Sequence, residues 1–129
     1  MLLESVSGEE PLGRYDVLFA LPGERLSQLP DGSLAGDVRE AATGGRFLDA
    51  LDRWVARERG AGDVVPSGAV FADGWFLYLG YELAGEIEPT LRLPASRLPS
   101  AVAWRMRGAL LRDRRTREVR VVARDDALL

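Results

Sequence analysis

One stretch of the chain carries apolar residues at full helical period, and most of the rest alternates as strands do. After Thr43-Gly44-Gly45, the residues Phe47, Leu48, Leu51, Trp54 and Val55 fall at i, i+1, i+4, i+7 and i+8, a single apolar stripe. Asp49 and Arg53 lie off that stripe at i,i+4 spacing, and Gly60-Ala61-Gly62 marks its end. One good helix among alternating segments predicts an α+β fold. The sheet should be mostly antiparallel and sandwich-like, in a single domain over residues 1–129.

The strand signals are uneven. Residues 15–22 form a short apolar run, and Pro22-Gly23 predicts a turn that closes it. Residues 25–29 and 33–38 flank Pro30-Asp31-Gly32, whose turn chemistry predicts a hairpin of two weak edge strands. Residues 61–73 read as loop. In residues 74–81, Trp75, Leu77, Leu79 and Tyr81 alternate with Phe76 and Tyr78, which predicts a strand with both faces covered, central in its sheet. Residues 82–88 predict one helical turn stopped by Pro89. The last third reads as a hairpin. Val102, Trp104, Met106 and Leu110 share one face, with Arg105 and Arg107 on the other, and a polar turn at 112–117 leads to a strand at 118–124.

Composition removes whole classes of chemistry. All 17 basic residues are arginine, and the chain has no lysine, histidine, cysteine or asparagine. Disulfides, thiol nucleophiles, Cys-type metal sites, imidazole bases and Schiff bases are therefore excluded. Carboxylates, tyrosines and guanidiniums remain, so a carboxylate-held Mg²⁺ or a two-carboxylate hydrolase stays open. Autonomous catalysis is the weaker reading. No apolar run approaches the ~20 residues of a membrane helix, and Met1-Leu2-Leu3-Glu4-Ser5 lacks the basic and apolar regions of a signal peptide. The expectation is a cytoplasmic protein with no membrane partner. Charge is split: residues 1–91 hold 7 Arg against 16 Asp and Glu, whereas residues 92–129 hold 10 against 4.

Four segments carry candidate function. Thr43-Gly44-Gly45 before a helix has the donors to cradle phosphate, but it matches no phosphate-loop pattern, and a helix-starting turn explains it better. Glu82 and Glu86 would share a helical face and hold a hard cation, although an arginine partner is the simpler way to offset their repulsion. The arginine-rich hairpin from Arg105 to Arg124 offers only Trp104 for stacking, so nucleic acid is not expected. The N-terminal stretch is the most informative. It gathers Glu4, Ser5, Arg14 and Asp16 with the apolar walls Leu3 and Tyr15, the mixture a free amino acid needs. Read alone, an edge strand with solvated charges is the better account of it.

Three blocks in order carry a resemblance: Leu2-Leu3-Glu4-Ser5-Val6, the run from Gly13-Arg14-Tyr15-Asp16 to Leu21-Pro22, and the run from Gly74-Trp75 to Glu88-Pro89. Together with the late hairpin and its Asp-Arg turn they resemble the N-terminal domain of component I of the chorismate-utilising synthases. The likeness is nearest to aminodeoxychorismate (para-aminobenzoate) synthase component I, then to anthranilate synthase component I. It spans most of residues 2–124. One departure is Val70-Phe71-Ala72-Asp73, where relatives tend to have Pro-Phe-x-Gly.

The resemblance implies a parent enzyme that aminates chorismate to 4-amino-4-deoxychorismate for folate synthesis. It would use Mg²⁺ in a C-terminal chorismate-binding domain and ammonia from a glutamine amidotransferase subunit. That catalytic domain is outside this chain, so no catalytic residue and no metal ligand carries over, and the chain alone is expected to be inactive. The resemblance also implies part of a tryptophan pocket: Leu3 as wall, Ser5 as polar contact, Arg14 toward a carboxylate, Asp16 or Glu4 toward an ammonium or indole N–H, with Gly13 and Tyr15 in the same motif. A tryptophan-sensing regulatory domain of anthranilate synthase is the alternative within the family. Outside it, the alternative is a free-standing interaction module using the arginine-rich hairpin face. Without its catalytic domain the chain is expected to expose an apolar patch and to self-associate.

Overall fold

A computed structural model describes residues 2–3, 13–59, 74–94 and 96–123. Six strands, one long helix and short helical turns follow in the order β1 (Leu2–Leu3), β2 (Tyr15–Gln28), β3 (Leu34–Gly36), α1 (Arg39–Ala42), α2 (Phe47–Arg59), β4 (Gly74–Leu79), a 3₁₀ turn (Tyr81–Leu83), α3 (Ala84–Ile87), β5 (Ala101–Asp113) and β6 (Val119–Ala123). The fold is mixed α and β, a mostly antiparallel sheet with few helices. Hydrogen-bonded neighbours run β1-β2-β5-β4, with β3 also on β2 and β6 also on β5. The pairs β1–β2, β2–β3 and β5–β6 are antiparallel.

The chain divides into two compact units, one holding the described residues 24–59 and 75–104, the other residues 2–3, 13–23, 74 and 105–123. The division falls inside β2 and inside β5, so each long strand contributes to both.

The first of these, the helical unit, holds the large apolar core. Leu26, Phe47, Ala50, Trp54, Ala101 and Ala103 are completely buried, joined by Val38 and Leu83. Burying side chains the size of Phe47 or Leu26 stabilises a fold by about 1.5–3 kcal/mol each. The buried face of α2 is centred on Phe47, Ala50 and Trp54, while Leu48 and Leu51 flank it. The helix stripe is thus rotated toward Ala50, a residue too small to stand out in an apolar pattern. Trp54 meets Trp75 edge to face, with ring centroids 5.7 Å apart and planes at 89°, a favoured aromatic arrangement. Gly44 and Gly45 take left-handed φ values of 63° and 93°, which lets the chain turn sharply into α2.

The β2–β3 hairpin forms at the predicted turn. Gly32 N–H donates to Leu29 O at 2.9 Å, and the Asp31 carboxylate accepts from both Ser33 N–H and Ser33 Oγ. Gly36 has φ +148°, and a Cβ there would lie 1.9 Å from Arg25 O. Only glycine allows β3 to approach β2 this closely.

Two strand predictions fail. Pro22-Gly23 is not a turn, because β2 continues through it to Gln28. Leu21 instead takes φ 50°, a local kink of the kind that lets a strand carry proline past its missing donor. A Cβ on Gly23 would stand 2.9 Å from Arg107 Nε, so this glycine serves a side-chain contact rather than a turn. Nor is β4 central. Among the described residues it pairs with β5 alone, and Leu77, Tyr78 and Leu79 are about half exposed. The predicted loop at 61–73 lies outside the described residues.

In the second, sheet-only unit, β6 pairs with β5 from Arg112↔Val119 to Gly108↔Ala123. The turn between them closes with Asp113 N–H donating to Glu118 O at 2.9 Å, and Arg117 adopts a left-handed φ of 61°. Here the buried hydrophobic residues among those described are Met106, Ala109 and Leu111.

Candidate functional site

Two polar constellations stand out, one in each unit. The first contains the residues singled out in the N-terminal motif. β1 lies antiparallel to β2 with Leu2 opposite Leu18 and Leu3 opposite Val17. The Leu-Leu block is therefore beside the strand that Gly13-Arg14-Tyr15-Asp16 leads into. Gly13 and Asp16 are buried, Arg14 and Tyr15 half-buried, and Leu3 exposed. Glu4 and Ser5 lie outside the described residues.

Arg14 and Asp16 both have partners at the β5–β6 turn. Arg14 Nε and Nη2 reach one oxygen of Asp113, at 3.0 and 2.6 Å. Asp16 receives Arg114 Nε at 2.8 Å and its Nη2 at 2.5 Å, with Arg112 at 4.0 Å. Backbone and side chain reinforce each other, since Arg114 N–H also donates to Arg14 O at 2.9 Å. The result is two crossed ion pairs, Arg14 with Asp113 and Asp16 with Arg114. Hydrogen bonding from Arg14 holds the Asp113 carboxyl down at about 2, aided by the N–H groups of Arg115 and Thr116. Hydrogen bonding from Arg114 lowers the Asp16 carboxyl in the same way. Both carboxylates stay charged at neutral pH and are unsuited to acid–base chemistry there. The Arg14 guanidinium also stacks on the neighbouring Tyr15 ring at 5.0 Å. Its side chain remains 34% exposed.

The second constellation was only partly legible. Glu86 Oε1 accepts Phe47 N–H at 2.7 Å and Oε2 accepts Leu48 N–H at 3.1 Å. The carboxylate thus caps the first turn of α2, where unpaired N–H groups and the helix dipole favour an anion. Arg46 Nη2 donates to the Glu86 backbone carbonyl. The anion-binding capacity suggested by Thr43-Gly44-Gly45 is thereby taken by the protein's own glutamate. The partner that offsets Glu86 is chiefly a helix N-terminus rather than an arginine side chain. Among the described residues, no group of three or more carboxylates is gathered to hold a metal ion.

Glu86 is also one end of a polar chain. Ser100 Oγ donates to Gln28 Oε1 at 2.6 Å, and Gln28 Nε2 donates to Glu86 Oε1 at 2.6 Å. Ser100 and Gln28 are buried. Sequence reading missed both, and no motif marks them. Gln28 ends β2 and Ser100 stands just before β5, among other polar residues that give neither any local distinction.

A third group is structural. Glu40, 3% exposed, takes Arg57 Nε at 3.0 Å and Nη2 at 3.1 Å, with Arg39 Nε at 3.2 Å. Arg57 is raised above its ordinary value by the Glu40 hydrogen bonds. Glu40 ends below its own ordinary value, because the arginine bonds outweigh the opposing effect of burial. Arg105, expected on the solvated face of the hairpin, is 2% exposed, so the arginine stripe is interrupted at its first member. Among the described residues no helix is long and apolar enough to cross a membrane.

No protein-family model matches the chain, and no curated protein matches it.

Proposed function

We propose that the chain is the non-catalytic N-terminal domain of a chorismate-utilising synthase component I, of the aminodeoxychorismate type, and that it contributes part of a tryptophan pocket. The β1–β2 pairing carries this reading. It sets Leu3 opposite Val17 and so joins the Leu-Leu-Glu-Ser and Gly-Arg-Tyr-Asp blocks, which sequence alone leaves separated by a spacer. In this reading Arg14 meets the amino-acid carboxylate. Asp16 or Glu4 takes the ammonium or indole N–H, Ser5 is a polar contact, Leu3 is a wall, and Gly13 and Tyr15 belong to the same motif.

Exposed apolar side chains add support. Leu2 is paired with Leu18, and Leu110 with Val121. Leu2, Leu18, Val119 and Val121 are 53%, 41%, 60% and 58% exposed. A domain that packs against further protein presents such a surface. In this reading the covering protein is the enzyme's own chorismate-binding domain, where Mg²⁺ and the chemistry reside, and a glutamine amidotransferase subunit supplies ammonia.

Two measurements on the intact gene product test the reading. Calorimetry with L-tryptophan should give saturable heat that Arg14→Ala weakens, and silence would remove the pocket. Chorismate should be consumed with ammonia and Mg²⁺ to give the 4-amino product. Failure to consume it would overturn the family assignment, and an anthranilate product would move the chain to the neighbouring branch.

A further inference from the structure

The helical unit contains a cleft of about 230 Å³ lined by Gln28, Leu29, Pro30, Glu82, Leu93, Pro94, Leu98 and Ser100, among others. It is small beside the roughly 300–1,000 Å³ pockets that hold drug-sized ligands. Its lining combines aliphatic groups with the polar side chains of Gln28, Ser96 and Ser100, and among the described residues Glu82 is the one charged group that lines it.

The polar floor has a direction. Glu86 is acceptor-only when ionised, so the Gln28 amide must turn its NH₂ toward Glu86 and its oxygen toward Ser100. The Ser100 hydroxyl proton is then spent on Gln28 Oε1, and the hydroxyl offers only lone pairs to the cleft. The Ser100 hydroxyl and one Gln28 N–H thus donate along a chain that ends at Glu86, the carboxylate that caps α2. The Glu82 carboxylate adds a charged acceptor, and the Ser100 carbonyl already accepts Gly80 N–H at 2.8 Å. They crowd Gly80: a Cβ there would stand 2.8 Å from Glu82 Oε2, 3.0 Å from Ser100 O and 3.3 Å from the Tyr78 hydroxyl. Glycine leaves that space open.

From this one-way polarity we infer that the cleft is a binding site for a small primary amine with a short apolar body. The ammonium is held by Glu82 and the Ser100 hydroxyl, and the body lies against Leu29, Pro30, Leu93 and Leu98. A cation pairs with the Glu82 carboxylate and can donate to the lone pairs of the Ser100 hydroxyl, and the aliphatic lining removes the attached carbon chain from water. An anion or an acceptor-only ligand would face a carboxylate and a set of lone pairs. This inference is independent of the proposed function, because it uses neither the N-terminal motif nor tryptophan.

The test uses three probes of one size on the full chain: phenethylamine, 2-phenylethanol and phenylacetate, followed by amide NMR shifts at Gly32, Ser96 and Ser100. Phenethylamine should give saturable shifts, the alcohol should bind at least about tenfold more weakly, and the acid should not bind. Glu82→Gln should weaken phenethylamine by about tenfold or more, with unchanged helical circular dichroism, since Glu82 takes no part in capping α2. Ser100→Ala should weaken it a few-fold. Absence of saturable phenethylamine shifts, equal binding of the three probes, or full affinity in Glu82→Gln would each overturn the assignment.

Discussion

The two units solve the same problem with different materials. The helical unit buries Trp54, Phe47 and Leu26 completely, and its carboxylates Glu40 and Glu86 are turned inward as structural groups. The sheet-only unit has few large buried side chains among its described residues. It is tied at one end by the crossed Arg14–Asp113 and Asp16–Arg114 pairs, and it leaves Leu2, Leu18, Val119 and Val121 in solvent. Apolar burial does not weaken with salt, whereas partly exposed ion pairs are screened. The helical unit should therefore be the stable half and the sheet-only unit the one that responds to pH, salt and a covering partner.

Trp54→Ala attacks the comparison hardest. Removal of a fully buried tryptophan should cost about 4 kcal/mol, read as a lower urea midpoint for loss of helical circular dichroism. A loss below about 1 kcal/mol would mean that the helical unit is not held by its core. Glu40→Ala comes next, at about 2 kcal/mol, because it removes the buried acceptor of Arg57, which keeps Glu58 and is one-third exposed. Glu86→Gln should cost about 1–2 kcal/mol by weakening the cap of α2, with helical signal lost before the sheet signal.

The smallest effects belong to the sheet-only unit. Asp113 titrates at about 2 in the folded protein against an ordinary 3.8. The unfolded chain binds this proton more tightly, so the contribution is fully present above about 3.8 and is lost as pH falls toward 2. Carboxyl NMR should find that low midpoint. Arg14→Ala should raise it toward the ordinary value, and added salt should raise it in the native protein. The pair exchanged by Arg14→Asp with Asp113→Arg should restore part of the acid stability. An unshifted midpoint in Arg14→Ala would mean that the turn N–H groups alone hold the carboxylate.

Legibility in the sequence followed contact range. The α2 stripe, the Asp31-Gly32 hairpin turn and the short helix before Pro89 were readable because their causes are local: side chains three or four apart, an Asx turn, a proline stop. Pro22-Gly23 was misread. Locally it has turn chemistry, yet Leu21 absorbs the kink and Gly23 makes room for Arg107, a residue 84 positions away. Of the candidate site, Gly13, Arg14, Tyr15 and Asp16 were marked as a polar-and-aromatic group, but their partners Asp113 and Arg114 were seen only as a hairpin turn.

Composition and period by themselves determined that this chain has no imidazole, thiol or amine side chain for catalysis, and that it folds as sheet with one principal helix. Both follow from which atoms are present and from the spacing of apolar residues along one segment. Tertiary structure alone decided where each charge is spent. Arg14 meets Asp113 across 99 positions, and Glu86 caps a helix that starts 39 positions earlier. Such pairings depend on strand register and on which face a short helix presents. A carboxylate looks the same in sequence whether it waits for a ligand or closes the first turn of a helix.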